Sequence, residues 1–362
     1  MPFSRFRRQP LYGKWMVSPV SDTEWLAWME RLLATAGPDA DPELPAALFH
    51  CRLDGQPDHL VPERFLRCQA WEDRAGRRLF LNPGCRITHD GDLPPEARAK
   101  ETLLEKLALQ GTIAWVTESG TGALQPFWLG RSLSSSLAGL VPGDPAPPGL
   151  SRESKLILAM AGILVEENHV AQHRREWDSA FEHAAARFRQ RGFAPIAGLI
   201  HPFHVAALRR YYRRKLRTGE LRRGDQQSER RYVAHNEGVA RFFHHQLTSV
   251  MSAIAAVKVK PSYVYLSAYQ EGAVLSKHTD REQCQFSISF CLDFTPEPKR
   301  ETTWPLQLDC GSGTVRVFQA IGDALFYKGQ ELPHYRDQLP QGNTSTSIFF
   351  HYVPEDFSGS LD

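Results

Sequence analysis

Cysteine is scarce in this sequence: there are six in 362 residues, with no CxxC pair to hold zinc and too few for a disulfide framework at this length. Reduced thiols are expected, and the even spacing of Cys51, Cys68 and Cys85 is the one pattern among them. Long apolar runs are also missing. The longest, Leu156 to Val165, is about half of the roughly 20 residues that span a bilayer, so it reads as a buried helix and no membrane span is expected. The first eight residues are basic, but they lead into Gln-Pro-Leu-Tyr-Gly rather than an apolar signal core, which predicts a cytoplasmic protein. Low-complexity tracts and internal repeats are absent. With 42% hydrophobic and 23% charged residues, the composition excludes wholesale disorder.

Neither sign of charge is in excess, since the net charge is +2, yet the charge is unevenly spread. Between Arg209 and Arg231 stand nine Arg and one Lys against Glu220, Asp225 and Glu229, a local balance of +7. Tyrosines interleave with these cations, a pattern that suits phosphates and bases. A solvated amphipathic helix with its arginine stems packed on the fold gives the same pattern, and an acidic partner is a third reading.

The length allows one elaborated domain or two. Trp25 to Leu33 and Glu101 to Leu109 have helical spacing, while Arg78 to Leu81 and Thr112 to Val116 read as short strands. Val141 to Gly149 holds four prolines in nine residues and reads as a linker, because proline is excluded from helix interiors and central strands. Ser151 is placed to cap a helix running to Glu167, and a second helix follows to about Gln190. After Gly192, Phe193 to Ile200 is strand-like, His201-Pro202 starts a helix carrying the basic stretch, and Gly238 to Val257 is helical. From Ser262 on, short alternating segments dominate: Tyr263 to Tyr269, Phe286 to Phe294, Gly313 to Ala320, Ala324 to Lys328 and Thr346 to Val353. Strands at such intervals point to a sandwich or jelly roll. The expected organisation is α+β: an N-terminal α+β domain over 1–148, a helical connector over 149–191, and a strand-rich domain over 192–362.

One constellation carries chemistry. His278-Thr-Asp280 is an H-x-D pair beside a strand, and His334 follows 54 residues after the aspartate at the end of another. Two imidazoles and a carboxylate bind one face of ferrous iron and leave positions open for oxygen and an organic co-substrate. An H-x-D tripeptide alone is equally a polar turn.

The surroundings resemble the Fe(II)/2-oxoglutarate oxygenase superfamily over roughly 192–353. Tyr269 stands nine residues and Gly272 six residues before His278, as in the Y-x-x-G-x-x-x-x-x-H-x-D pattern of prolyl-4-hydroxylase-like members. The run Gly272-Ala-Val-Leu-Ser-Lys-His-Thr-Asp280 is similar to that of AlkB-type nucleic-acid demethylases. The resemblance implies a C-terminal double-stranded β-helix (jelly roll) with flanking helices, His278, Asp280 and His334 as catalytic metal ligands, and Fe(II) and 2-oxoglutarate as cofactors.

The sequence departs from that pattern where a basic residue should grip the far carboxylate of 2-oxoglutarate. Thr344 occupies the position, and no Lys or Arg follows Arg336. Arg336, two residues beyond His334 and so on the same side of an extended strand, is the favoured anchor, with Tyr269 as a hydroxyl donor; Arg281, Arg316 and Lys328 are alternatives. His351 reads as a hydrogen-bonded core histidine near the same site. Hydroxylation of an amino-acid residue, peptide or carrier-bound small substrate is the expected activity. The carboxylate of Asp280 disfavours halogenation, which needs that ligand replaced by a small residue. The alternatives are an AlkB-like demethylase of alkylated nucleic acid and a non-catalytic jelly-roll binding protein.

Overall fold

The computed structural model describes residues 47–53, 77–311 and 313–362. The helix expected at Trp25 to Leu33, and Cys68, lie outside the described residues. The described residues divide into two units, one of 47–53, 77–175 and 201–211, the other of 176–200, 212–311 and 313–362. Among the described residues no helix is long and apolar enough to cross a membrane.

In the first unit, β1 (Arg52–Leu53), β5 (Leu124–Leu129), β4 (Thr112–Thr117) and β3 (Cys85–His89) form a sheet in that order, and β2 (Phe80–Leu81) pairs with β6 (Leu164–Val165). Aromatic residues form much of its core, with Trp115, Phe127 and Trp128 buried. Glu101 to Leu109 yields only a single turn at Glu101–Leu103. The reason is that Phe49 takes the next backbone groups, donating to Lys106 O at 2.8 Å and accepting from Ala108 N at 3.0 Å. Ser151 caps its helix by accepting from Ser154 N. That helix ends at Met160 rather than Glu167, because the chain turns through Gly162 at φ 69° into β6. The proline-rich stretch is pinned rather than free: Leu81 N donates to Asp144 O and Ala146 N to Leu79 O, both at 2.8 Å.

The second unit contains a seven-stranded sheet and a four-stranded sheet. The larger has the order β7 (Phe193–Ile196), β15 (Ala324–Tyr327), β12 (Phe286–Thr295), β17 (Thr344–Pro354), β10 (Val259–Tyr269), β9 (Arg231–His235), β8 (Arg222–Arg223). The smaller has the order β11 (Leu275–His278), β16 (His334–Arg336), β13 (Leu306–Asp309), β14 (Thr314–Val317). Every pairing in both is antiparallel. Phe193, Leu325 and Tyr327 of the larger sheet pack against Leu275, Leu306, Leu308 and Val317 of the smaller. Burying these side chains face to face contributes roughly 1.5–3 kcal/mol each.

The period-2 pattern explains what faces this interior. In β10, β12 and β17 one face carries Val264, Leu266, Ile288, Phe290, Ile348 and Phe350, all buried. The other carries Tyr265, Ser267, Tyr269, Ser287, Ser289, Ser347 and Phe349. Two helices cover the apolar face, Gly238–Gln246 and Thr248–Ala255. The single helix expected there is broken at Leu247, whose N–H is shared between Phe243 O and His244 O.

Candidate metal centre

β11 and β16 are neighbours in register, with His278 directly opposite His334 and Leu275 opposite Arg336. Cross-strand pairing thus brings two imidazoles distant in sequence to a ring separation of 4.4 Å. Asp280 leaves β11 and is fixed by its own N–H, which donates to Gly329 O at 2.9 Å. Its Oδ1 lies 3.7 Å from His278 Nε2 and 3.5 Å from His334 Nε2. The three ligand atoms fall within 4.8 Å of one another, a grouping able to hold a metal ion.

The reverse side of each ligand is also fixed. His278 Nδ1–H donates to Ser276 O at 2.8 Å, and His334 Nδ1–H to Leu332 O at 2.9 Å. A carbonyl only accepts, so both rings present a lone pair on Nε2, the tautomer a metal requires. Ser287 Oγ donates to the far oxygen of Asp280, Oδ2, at 3.1 Å. Gly329 packs against this carboxylate so closely that an added Cβ would collide with Asp280 Oδ2, Cys284 O and Ser287 Oγ.

Electrostatics favours ligand-competent protonation. Burial, with the neighbouring His334, holds His278 below the ordinary imidazole range. Burial alone would raise the Asp280 carboxyl, but the neighbouring imidazoles, His334 first among them, outweigh it and leave the group lowered. Neutral histidine and ionised aspartate are the forms a divalent cation binds.

The centre opens into a cavity of about 630 Å³ lined by Tyr265, Tyr269, Arg281, Tyr327, Phe349 and His351 among others. Tyr327, absent from the sequence expectations, sets its ring 4.9 Å from that of His334. His351 is buried and shares a 2.9 Å hydrogen bond with Ser287 through Nδ1; burial pushes it down to about 4. It is therefore a core histidine and a cavity-wall residue at once.

Tyr269 is fully buried, edge-on to Trp304, and its hydroxyl accepts from Arg231 Nη1 at 2.9 Å. Arg336 lies outside the cavity wall. It is 3% exposed, donates from Nη1 to Trp304 O at 2.6 Å, stacks 4.7 Å over the Trp304 ring, and leaves Nε without a partner. Of the alternative cations, Arg281 lies over the Tyr263 ring and lines the cavity beside the metal-binding group, whereas Arg316 donates to Gln307 and Lys328 pairs with Glu331.

Much of the basic stretch is engaged within its own unit. Arg209 is buried, Arg210 donates to His50 O at 3.1 Å, Arg213 holds Asp293 and Lys215 pairs with Glu220. Arg231, also buried, grips Asp225 with both Nε and Nη2.

No protein-family model matches the chain, and no curated protein matches it. Solved structures do. The non-haem α-ketoglutarate-dependent epimerase SnoN from nogalamycin biosynthesis aligns with 16% identity and a TM-score of 0.42, covering 49% of this chain and 84% of its own. A Pseudomonas putida prolyl-4-hydroxylase aligns with 17% identity and a TM-score of 0.39, covering 47% and 98%. HygX from Streptomyces hygroscopicus, solved with nickel, 2-oxoglutarate and hygromycin B, aligns with 13% identity and a TM-score of 0.39, covering 48% and 88%. At these scores the chain is similar to Fe(II)/2-oxoglutarate enzymes over about half its length, and the chemistry of its site must be read from its own side chains.

Proposed function

We propose that this chain is a non-haem Fe(II)- and 2-oxoglutarate-dependent oxygenase, with 192–362 forming a double-stranded β-helix catalytic domain. The observation that carries this reading is the convergence of His278, Asp280 and His334 on one point at the head of a cavity. Two neutral imidazoles and one carboxylate suit ferrous iron, and three ligands on one side leave room for a chelating co-substrate and oxygen. The orphaned Nε of Arg336 fits the same reading, since a buried guanidinium without a carboxylate is a costly arrangement that an incoming anion relieves. Arg336 and Tyr269 are the proposed co-substrate-binding residues.

When bound, iron and 2-oxoglutarate supply the oxidising power to functionalise an unactivated C–H bond. The protein's part is placement and exclusion. His278 and His334 hold their Nε2 atoms toward the metal because Ser276 O and Leu332 O hold the opposite nitrogens. Ser287 donates to the far oxygen of Asp280 and so holds the carboxylate turned. Tyr265, Tyr327 and Phe349 line the cavity and limit water around the reacting carbon. We assign hydroxylation of an amino-acid residue, peptide or carrier-bound small substrate as the activity. The cavity admits a small molecule or an extended side chain, and the internal engagement of Arg209, Arg210, Arg213 and Arg231 removes much of the cationic surface that a nucleic-acid demethylase would need.

The test is anaerobic addition of Fe(II) and then 2-oxoglutarate, watching for the visible charge-transfer band of bidentate chelation. The expected result is a band that His334→Ala abolishes and Arg336→Ala weakens. Iron binding without a band would sink the 2-oxoglutarate assignment, and failure to bind iron would sink the metal centre.

A further inference from the structure

His278, Asp280 and His334 do not exhaust the ligating side chains beside the cavity. Asp280, Cys284 and His351 form a second group, whose ligand atoms also lie within 4.8 Å of one another. Separate elements of the second unit supply the three. Asp280 follows β11, Cys284 ends the single turn Glu282–Cys284, and His351 stands in β17 opposite Ser287 of β12. Cys284 is 1% and His351 6% exposed, so folding has brought a thiol and an imidazole out of water to face a carboxylate.

The hydrogen bonds of this group run outward. Cys284 Sγ shares one of 3.0 Å with Tyr263 Oη, His351 Nδ1 shares one of 2.9 Å with Ser287 Oγ, and Asp280 Oδ2 accepts from the same serine hydroxyl at 3.1 Å. Among the described residues no hydrogen bond joins any two of the three, so the point they share is left to an atom of another kind. Either neutral tautomer of His351 carries a lone pair on one ring nitrogen. Asp280, His351 and Tyr263 line the cavity, which gives a cation its way in. Sulfur is the donor that His278, Asp280 and His334 lack, and thiolate selects zinc-class cations over those that prefer oxygen alone. One sulfur, one imidazole nitrogen and one carboxylate oxygen are a three-ligand set that zinc takes with a fourth position open.

We propose that Asp280, Cys284 and His351 form a second metal site, for a zinc-class divalent cation, which shares its carboxylate with His278 and His334. Binding replaces the S–H bond of Cys284 by a metal–sulfur bond and releases the proton to solvent. The shared carboxylate couples the two sites. Two divalent cations held by one carboxylate repel each other, so each weakens the hold on the other. The second site needs no 2-oxoglutarate and takes from the reading above only the position of Asp280.

Co(II) is the probe, because cobalt bound to thiolate gives a near-ultraviolet sulfur-to-metal charge-transfer band that nitrogen and oxygen ligands do not. Reduced, metal-free protein titrated anaerobically with Co(II) should develop that band. Cys284→Ser and Asp280→Asn should abolish it, whereas His334→Ala, which dismantles only the first group, should keep it. No band in the parent, or a band that survives Cys284→Ser or Asp280→Asn, would overturn the site. A band lost in His334→Ala would put the sulfur on the first metal and overturn a second one. If Cys284→Ser fails to fold, X-ray absorption of the Zn(II)-loaded parent and His351→Gln decides. A sulfur neighbour at about 2.3 Å from zinc that His351→Gln loses supports the site, and nitrogen and oxygen neighbours alone in the parent overturn it. The iron reading stands or falls separately. A parent that forms the 2-oxoglutarate band but no thiolate band loses only the second site, and the reverse outcome loses only the co-substrate.

Discussion

Gly329 lacks a side chain because the carboxylate of Asp280 stands where one would be. A Cβ there would collide with Asp280 Oδ2 and come to 2.5 Å from Cys284 O and 2.9 Å from Ser287 Oγ, so Gly329→Ala must push the carboxylate off its position between the imidazoles. Fe(II) affinity, read by anaerobic titration, should fall at least tenfold, and an unchanged affinity would show that the carboxylate relocates freely. Ser287→Ala removes the hydroxyl on Asp280 Oδ2 without crowding and should weaken metal binding by about 10–100-fold, the usual effect of losing a group that orients a ligand. The three side chains that converge were legible in the sequence as proposed metal ligands, because histidine and aspartate at H-x-D spacing belong to few chemistries. Gly329 and Ser287 were not, since their roles arise from contacts between segments that no local pattern announces.

Strands explain both what could be read and what was missed at the next scale. The alternation in Phe286 to Phe294 and Thr346 to Val353 marked β12 and β17 correctly, and their extents, Phe286–Thr295 and Thr344–Pro354, differ from the expectation by one or two residues. The same alternation puts the serines of Ser-Ile-Ser and Ser-Thr-Ser on the face that carries the cavity-lining Tyr265, Tyr269 and Phe349. The hairpin of β8 and β9 was hidden inside the basic stretch. Its charge read as a surface property, whereas Asp225 accepts from Arg231, from Tyr265 Oη at 2.6 Å and from the N–H groups of Gln227 and Ser228 at 3.0 Å. This knot holds the hairpin as a wall of the cavity. Asp225→Ala would leave a buried guanidinium without its counter-ion and should lower stability by about 3 kcal/mol, read as a shift in the urea midpoint. Adding Arg231→Met should restore most of the loss. A double variant no more stable than the single would show that the hydrogen bonds to Tyr265 and the loop, rather than the uncompensated charge, dominate.

Across the whole molecule, acid sensitivity follows from histidines that folding buries uncharged. Burial, the largest cause at each, pushes His351 of the second unit down to about 4, and His201 and His204 of the first unit to about 4 and about 3. In the unfolded chain each takes up a proton near the ordinary imidazole value of 6.5. Between pH 6.5 and about 4 the unfolded state therefore binds more protons than the folded one, and stability rises with pH across that window. It is fully present above pH 6.5 and is lost as the pH falls toward 4, at about 1.4 kcal/mol per pH unit for each histidine. Both units carry such a group, so neither should survive as an acid-stable remnant. Urea midpoints measured from pH 7.5 to 4.5 are expected to fall steeply below 6.5, and His204→Gln, which cannot charge, should flatten the dependence for the first unit only. A flat profile in the parent would mean that these imidazoles are protonated in the folded protein and that burial does not keep them neutral.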